Sequence, residues 1–174
     1  KNSIRDYINA IHFLIDEGIA HKNKIELISS SAGGIIAGSV PNEEKNLLKC
    51  MLLFSPFINP YGQLISGNDP LVKTEVTEWG DISDKNIRDF IRSYSPLQNI
   101  EKARGTDTVV LSILGQRDNY IDNSDVIEWP KKLQKLNVRS YVYLNQNAGH
   151  GGINSEDSEF LINILSFFLQ NVMK

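Results

Sequence analysis

The sequence predicts an α/β fold in which a mostly parallel sheet carries helices on both of its faces. Segments with helical and with strand periodicity alternate along the chain, which is the order expected of a parallel sheet. The run 49–54 is apolar on both sides, as a strand buried between two layers of helices is. With 174 residues, 41% of them hydrophobic, we expect one domain over residues 1–174.

The helices are predicted from apolar residues spaced three and four positions apart. We expect five of them, at about 3–18, 35–40, 87–91, 126–136 and 156–172. In the first helix, Ser3 and Asp6 resemble a capping box and Gly18 suits the C-terminal stop. The last helix has one apolar stripe, formed by Phe160, Leu161, Ile164, Leu165, Phe168 and Val172.

The strands between these helices are expected at about 24–29, 49–54, 108–114 and 140–144. The segment 55–82 contains several prolines and glycines and is predicted to be a long irregular loop, a kind of loop that usually has a function. Four strands make a thin sheet with an exposed first edge. We therefore expect strands upstream of this chain, and the bare edge favours self-association.

Composition excludes several kinds of partner and site. The net charge is −3 and no block of Lys or Arg is present, which argues against a nucleic-acid or membrane-surface partner. The single cysteine, Cys50, is predicted to be a buried strand thiol rather than a nucleophile. Without a membrane-length apolar stretch or a signal peptide, a cytoplasmic location is expected. The chain begins at Lys1 rather than methionine, and we expect it to be a fragment.

The most informative segment is Ser29–Gly33, with the sequence Ser-Ser-Ser-Ala-Gly, which follows a predicted strand and precedes a predicted helix. In α/β-hydrolases a serine nucleophile lies on such a sharp turn, and small neighbours are needed because the backbone turns so tightly. Ser31 would then be the nucleophile, and the Ala32 N–H would face a developing oxyanion. The alternative is a serine-rich helix cap without chemistry.

An acid and a histidine follow the later strands in the order that a hydrolase needs. Asp118 comes just after the strand 108–114, and His150 lies on a glycine-rich loop after the strand 140–144. His150 would take the proton of Ser31, and Asp118 would orient the imidazole. Asp122 or Asp125 could supply the acid instead, whereas His12 and His21 lack a strand-end context and are interpreted as structural.

Five sequence blocks carry a resemblance to a known family. Ser29–Gly34 resembles the elbow Gly-Gly-Ser-Ala-Gly-Gly of the prolyl oligopeptidase family of serine peptidases, with both leading glycines changed. The family's Ala-Gly-His-Gly-Gly stands intact at Ala148–Gly152. Pro56-Phe57 resembles a Pro-Phe pair that follows the next strand in the family, and Glu78–Gly80 and Ser93–Pro96 resemble motifs of its oligopeptidase B members. The chain is therefore identified as the C-terminal part of the peptidase domain of such a protein, with an α/β-hydrolase fold.

The resemblance implies a larger enzyme that cuts short peptides after Arg or Lys. Family members add a β-propeller, the first strands of the sheet and a tyrosine as second oxyanion donor, all missing from this chain. Glu75 aligns with one acidic residue that binds a basic substrate side chain, but Thr77 takes the place of the second. Tyr120 replaces a family arginine. Together with the changed residue Ser29, these departures bear on activity.

The predicted function is thus a serine oligopeptidase acting through Ser31, Asp118 and His150, with no metal ion and no cofactor. Two alternatives remain open. An esterase of the same fold would use the same triad, since the triad does not choose between amides and esters. A non-catalytic homologue that acts as a binding or assembly module would explain the changed elbow and the lost arginine.

Overall fold

The computed structural model describes residues 1–66, 78–154 and 156–173 of the chain. Helices and strands alternate through most of this part, and a short 3-10 helix, Leu97–Ala103, precedes the third strand. In chain order the elements are α1 (Asn2–Asp16), β1 (Glu26–Ser30), α2 (Gly33–Glu43), β2 (Cys50–Phe54), α3 (Pro60–Ser66), α4 (Lys85–Arg92), β3 (Val109–Gly115), α5 (Asn123–Lys135), β4 (Ser140–Asn145) and α6 (Ser158–Val172).

The strands form one sheet in the order β1-β2-β3-β4, and every neighbouring pair is parallel. Ser30 at the end of β1 pairs with Phe54 of β2, which in turn pairs with Ile113 near the end of β3. The predicted parallel α/β fold is therefore confirmed. Among the described strands β1 and β4 are the edges. Because all four strands are parallel, the loops that follow them lie at the same end of the sheet, the carboxyl end.

Alternate residues of each strand pack on opposite layers of helices. Leu27, Met51 and Val110 contact the cluster that contains α1, α2 and α5. Leu52 and Leu111 belong instead to the cluster formed with α6. Helices thus cover both faces, as the two-sided apolar strands predict. Cys50 is buried in β2, where burial and the nearby Glu26 carboxylate raise the pKa of its thiol to about 11, as expected of an inert thiol.

Three local predictions differ from the structure. The first helix starts at Asn2 and has no side-chain cap, so the capping box predicted at Ser3 is wrong, although Gly18 has the positive φ of 70° that ends such a helix. In the loop predicted over 55–82, of which residues 67–77 lie outside the described part, residues 60–66 form α3. Its first residue, Pro60, is tolerated because a first-turn N–H has no partner in the helix. The helix predicted at 35–40 continues to Glu43.

Across the described ranges, no helix is long and apolar enough to cross a membrane.

Candidate active site

Ser31 lies in a sharp turn between the end of β1 and the start of α2. Its φ of 49° is in the left-handed region, which side chains with a Cβ rarely adopt. Three backbone hydrogen bonds hold it there: its N–H donates to Phe54 O (3.0 Å), and its carbonyl accepts from Gly34 N–H (2.9 Å) and Phe57 N–H (2.8 Å). A strained residue fixed on every side is typical of functional turns.

Close packing against the backbone requires a glycine at position 34. A Cβ on Gly34 would lie 2.6 Å from the Phe57 backbone nitrogen and 2.8 Å from Pro56 Cα, and neither can move aside. A Cβ on Gly33 would overlap the Ser29 hydroxyl. Ser29 therefore fits in place of the family's glycine because Gly33 leaves space for its side chain.

Ala32 is the cap residue at the N-terminus of α2, and its side chain is exposed. The Gly34 and Ile35 N–H groups already donate to Ser31 O and Ala32 O, so the Ala32 N–H is the donor next to Ser31. The helix dipole also places partial positive charge at this end of α2. An oxyanion formed next to Ser31 would thus meet a donor and a favourable field.

Asp118 lies in the turn after β3, with its side chain fully buried. Its Oδ1 accepts from the backbone N–H groups of Tyr120 (2.9 Å) and Ile121 (3.1 Å). Burial alone would raise the pKa of this carboxyl, but hydrogen bonds from Ser55, the two N–H groups and His150 outweigh burial and lower the pKa. Asp118 is therefore held as a carboxylate.

His150 belongs to the loop 146–152 after β4, here called the histidine loop. Its Nδ1–H donates to Asp118 Oδ2 over 2.9 Å and also lies 3.2 Å from Oδ1. The His150 side chain is 30% exposed, so the imidazole is accessible to a substrate. The Tyr120 ring packs edge-on against the imidazole, with 5.3 Å between the ring centroids.

The histidine loop is fastened to the end of β3. Arg117 N–H donates to Ala148 O (3.0 Å), and Gly115 lies so close that a Cβ on it would be 1.9 Å from Gly149 O. The buried Asn145 amide donates to Gly152 O (3.3 Å), which closes the loop from the other end. These contacts position His150 relative to Asp118.

The structure brings Asp118 and His150 into contact and leaves Ser31 nearby without a direct bond. No hydrogen bond joins Ser31 to His150 among the described residues. The two are linked through residues 54 and 55, since Phe54 O accepts from Ser31 N–H and Ser55 Oγ accepts from Gly151 N–H (3.0 Å). Sequence reasoning missed Ser55, although its place just after β2 puts it on the side of the sheet where the other loops meet.

The alternative acids make other contacts. Asp122 caps α5 by accepting from Ser124 N–H (2.8 Å). Asp125 accepts from Asn59 Nδ2 (2.7 Å), and burial raises its pKa. His12 pairs with Glu44 on the surface, in line with a structural role.

The specificity predictions cannot be placed, because Glu75 and Thr77 lie outside the described residues. Tyr120, by contrast, is seen beside His150, with 52% of its surface exposed.

Two curated relatives show how far the similarity extends. The chain is 29% identical over 154 residues to dipeptidyl aminopeptidase BI of Pseudoxanthomonas mexicana, a match that covers 87% of this chain and 21% of that protein. It is 26% identical over 155 residues to Protease 2 of Moraxella lacunata, a match that covers 87% of this chain and 22% of that protein. The chain thus spans about a fifth of the length of these relatives.

Solved structures of oligopeptidase B share the fold. The enzyme from Leishmania major is 26% identical and superimposes with a TM-score of 0.76 over 83% of this chain and 20% of its own. The enzyme from Trypanosoma brucei, solved with covalently bound antipain, is 22% identical with a TM-score of 0.87, covering 97% and 24%. The model of the prolyl oligopeptidase family matches residues 1–174. The chain belongs to the prolyl oligopeptidase family of serine peptidases.

Proposed function

We propose that this chain supplies the catalytic triad of a serine oligopeptidase, with Ser31 as nucleophile, His150 as general base and Asp118 as the acid. The observation that carries the proposal is the hydrogen bond of 2.9 Å between His150 Nδ1 and the buried Asp118 carboxylate. A carboxylate in that position holds the imidazole in the tautomer whose Nε2 is free to accept a proton. The strained turn at Ser31 adds support.

In the proposed reaction Ser31 Oγ attacks the carbonyl carbon of the substrate while His150 Nε2 takes the hydroxyl proton. The Ala32 N–H donates to the oxyanion of the tetrahedral intermediate. His150 then gives the proton to the leaving amine, and an acyl ester remains on Ser31. Water, activated by His150, hydrolyses this ester and restores the serine.

We further propose that short peptides are cut after Arg or Lys, with Glu75 pairing with the basic side chain. Two features support it: the similarity to Protease 2 and to oligopeptidase B structures, and the alignment of Glu75 with an acidic residue of that group. Because Thr77 carries no charge, we expect a preference for one basic residue rather than for a pair.

A panel of short peptide amides tests the proposed function in the full-length natural polypeptide. The peptides differ only in the residue before the cut (Arg, Lys, Ala, Glu or Pro), and an ester with the same Arg side chain is added. We expect faster cleavage of the Arg and Lys peptides, loss of all cleavage in Ser31→Ala, and loss of the basic preference alone in Glu75→Gln. Ester cleavage without peptide cleavage would favour an esterase, and cleavage of neither a non-catalytic homologue.

Among the described strands, β1 has a neighbour on one side only, and this edge supports a proposal about assembly. An open strand edge offers backbone groups to another chain, so the 174-residue chain by itself is expected to self-associate. Sedimentation of this chain measures its state, and a monodisperse monomer would contradict the proposal.

A further inference from the structure

Ser55 is a buried serine that the reaction above does not use. It follows β2 directly and is fully buried. Its φ of 41° is in the left-handed region, and its N–H donates to Ile113 O (2.9 Å) in the neighbouring strand. A residue with a Cβ is kept in such a conformation only where its surroundings fix it, and such residues concentrate at functional sites.

The Ser55 hydroxyl contacts two of the loops that build the site. Its oxygen accepts from the Gly151 N–H over 3.0 Å, next to His150 in the histidine loop. The Gly151 bond uses only an acceptor position, so the hydroxyl proton remains available to the Asp118 carboxylate. Among the hydrogen bonds that lower the pKa of Asp118, the one from Ser55 has the largest effect. A hydroxyl has one donor and two acceptor positions, so one serine can make both bonds at once.

We infer that Ser55 is a positioning residue, whose hydroxyl fixes the Asp118 carboxylate and the histidine loop relative to each other. The inference rests on the proposed triad, since it concerns how two of its members are held. Asp118 comes from the turn after β3 and His150 from the loop after β4, and Ser55 joins both to the end of β2. Without the hydroxyl, a buried carboxylate loses a donor and the Gly151 N–H loses its acceptor.

The effect should appear in the rate of the reaction and not in substrate binding. Ser55 is fully buried and has no surface to offer a substrate. Hydrogen bonds to charged groups contribute enough that removing one is expected to slow the reaction by about 10- to 100-fold. A serine that only fills space would leave the rate per active site unchanged.

The test uses the full-length natural polypeptide and a fluorophosphonate probe, which reacts with an activated serine. The rate constant and the final stoichiometry of labelling are measured for the unsubstituted protein, Ser55→Ala, Asp118→Asn and the double variant. Ser112→Ala is the matched control: Ser112 lies in β3, is fully buried, and its hydroxyl has no hydrogen-bond partner among the described residues. Should Ser55→Ala fail to fold, Ser55→Gly, which suits the positive φ, replaces it with the same expected results.

We expect Ser55→Ala to label to the same stoichiometry with a rate constant lower by about 10- to 100-fold, and Ser112→Ala to label normally. In the Asp118→Asn background the same change should slow labelling by a smaller factor, because the bond to a charged carboxylate is already gone and only the bond to the Gly151 N–H is still lost. If Ser55→Ala lowers the labelling rate constant by the same factor with and without Asp118→Asn, or does not lower it at all, the inference is wrong, while the proposed triad is unaffected. No labelling of the unsubstituted protein would overturn both.

Discussion

Gly115→Ala is expected to displace the histidine loop. The added Cβ would lie 1.9 Å from Gly149 O and 2.5 Å from Ala148 O, whereas real Cβ atoms essentially never approach closer than 3.0 Å. The loop must therefore retreat by at least 1.1 Å, the difference between 3.0 and 1.9 Å. A displacement of about 1 Å at a catalytic group can cost about 100-fold in rate, and overpacking a core costs about 1–3 kcal/mol of folding free energy.

The matched control is Gly149→Ala in the same loop, where the nearest atom to the added Cβ is Arg117 O at 3.9 Å, an ordinary contact. Hydrolysis of an activated nitrophenyl ester by the full-length natural polypeptide measures the rate, and urea unfolding measures stability. We expect a rate lower by about 100-fold for Gly115→Ala and near-normal behaviour for Gly149→Ala. Normal activity of Gly115→Ala, or an equal loss of activity in both variants, would show that the contact between Gly115 and the histidine loop does not position His150.

Three further predictions concern stability, and urea unfolding checks each of them. Ser31→Gly should raise the free energy of unfolding by about 1 kcal/mol, because it relieves a left-handed residue with a Cβ; Ser31→Ala keeps the strain, and equal midpoints for the two would contradict this. The loss of folding stability caused by Asp118→Asn and that caused by Asp125→Asn should depend on pH in opposite ways. Because the pKa of Asp118 is lowered in the folded protein, its carboxylate stabilises the fold at pH values above the unfolded pKa of about 3.9. This stabilisation is lost as the pH falls through the folded pKa. Asp118→Asn should therefore lower the free energy of unfolding more at pH 7 than near pH 3. Because burial raises the pKa of Asp125, its contribution to folding stability is present at low pH and is lost as the pH rises. Asp125→Asn should therefore destabilise the fold less at pH 7 than near pH 3. The same pH dependence of the free energy of unfolding in both variants would contradict this prediction. Trp129 is 1% exposed, and its indole N–H has no hydrogen-bond partner among the described residues, so Trp129→Ala should cost about 3–5 kcal/mol and Trp129→Phe clearly less. Equal costs would mean that ring packing is not what stabilises this site.

The fold could be predicted from the sequence because the hydrophobic periodicity that indicates each helix and strand is local and recurs along the chain. Apolar residues on both sides of β2 required helices on both faces, and the alternation of helix and strand required parallel pairing. The carboxyl ends of parallel strands meet at the same end of a sheet, so the sequence alone predicts that residues 31, 118 and 150 lie near one another.

What the sequence did not reveal depends on contacts between distant segments. In the sequence nothing distinguishes Ser55 from other residues that precede a proline. The contacts of its hydroxyl with Gly151 and Asp118 form only when the ends of β2, β3 and β4 come together. The edge contact of Tyr120 with His150 likewise needs the turn and the loop to be packed together. Helix α3 was missed because Pro60 and Gly62 resemble loop residues, although α3 packs against α4 in a cluster around Leu64 and Ile91.

Fluorophosphonate labelling of the full-length natural polypeptide, followed by peptide mass mapping of the modified residue, decides whether Ser31 is an activated nucleophile. We expect one adduct per chain, on Ser31, and none in Ser31→Ala. A folded protein that takes up no label would favour a non-catalytic member of the family, and an adduct at another residue would rule out Ser31 as the nucleophile.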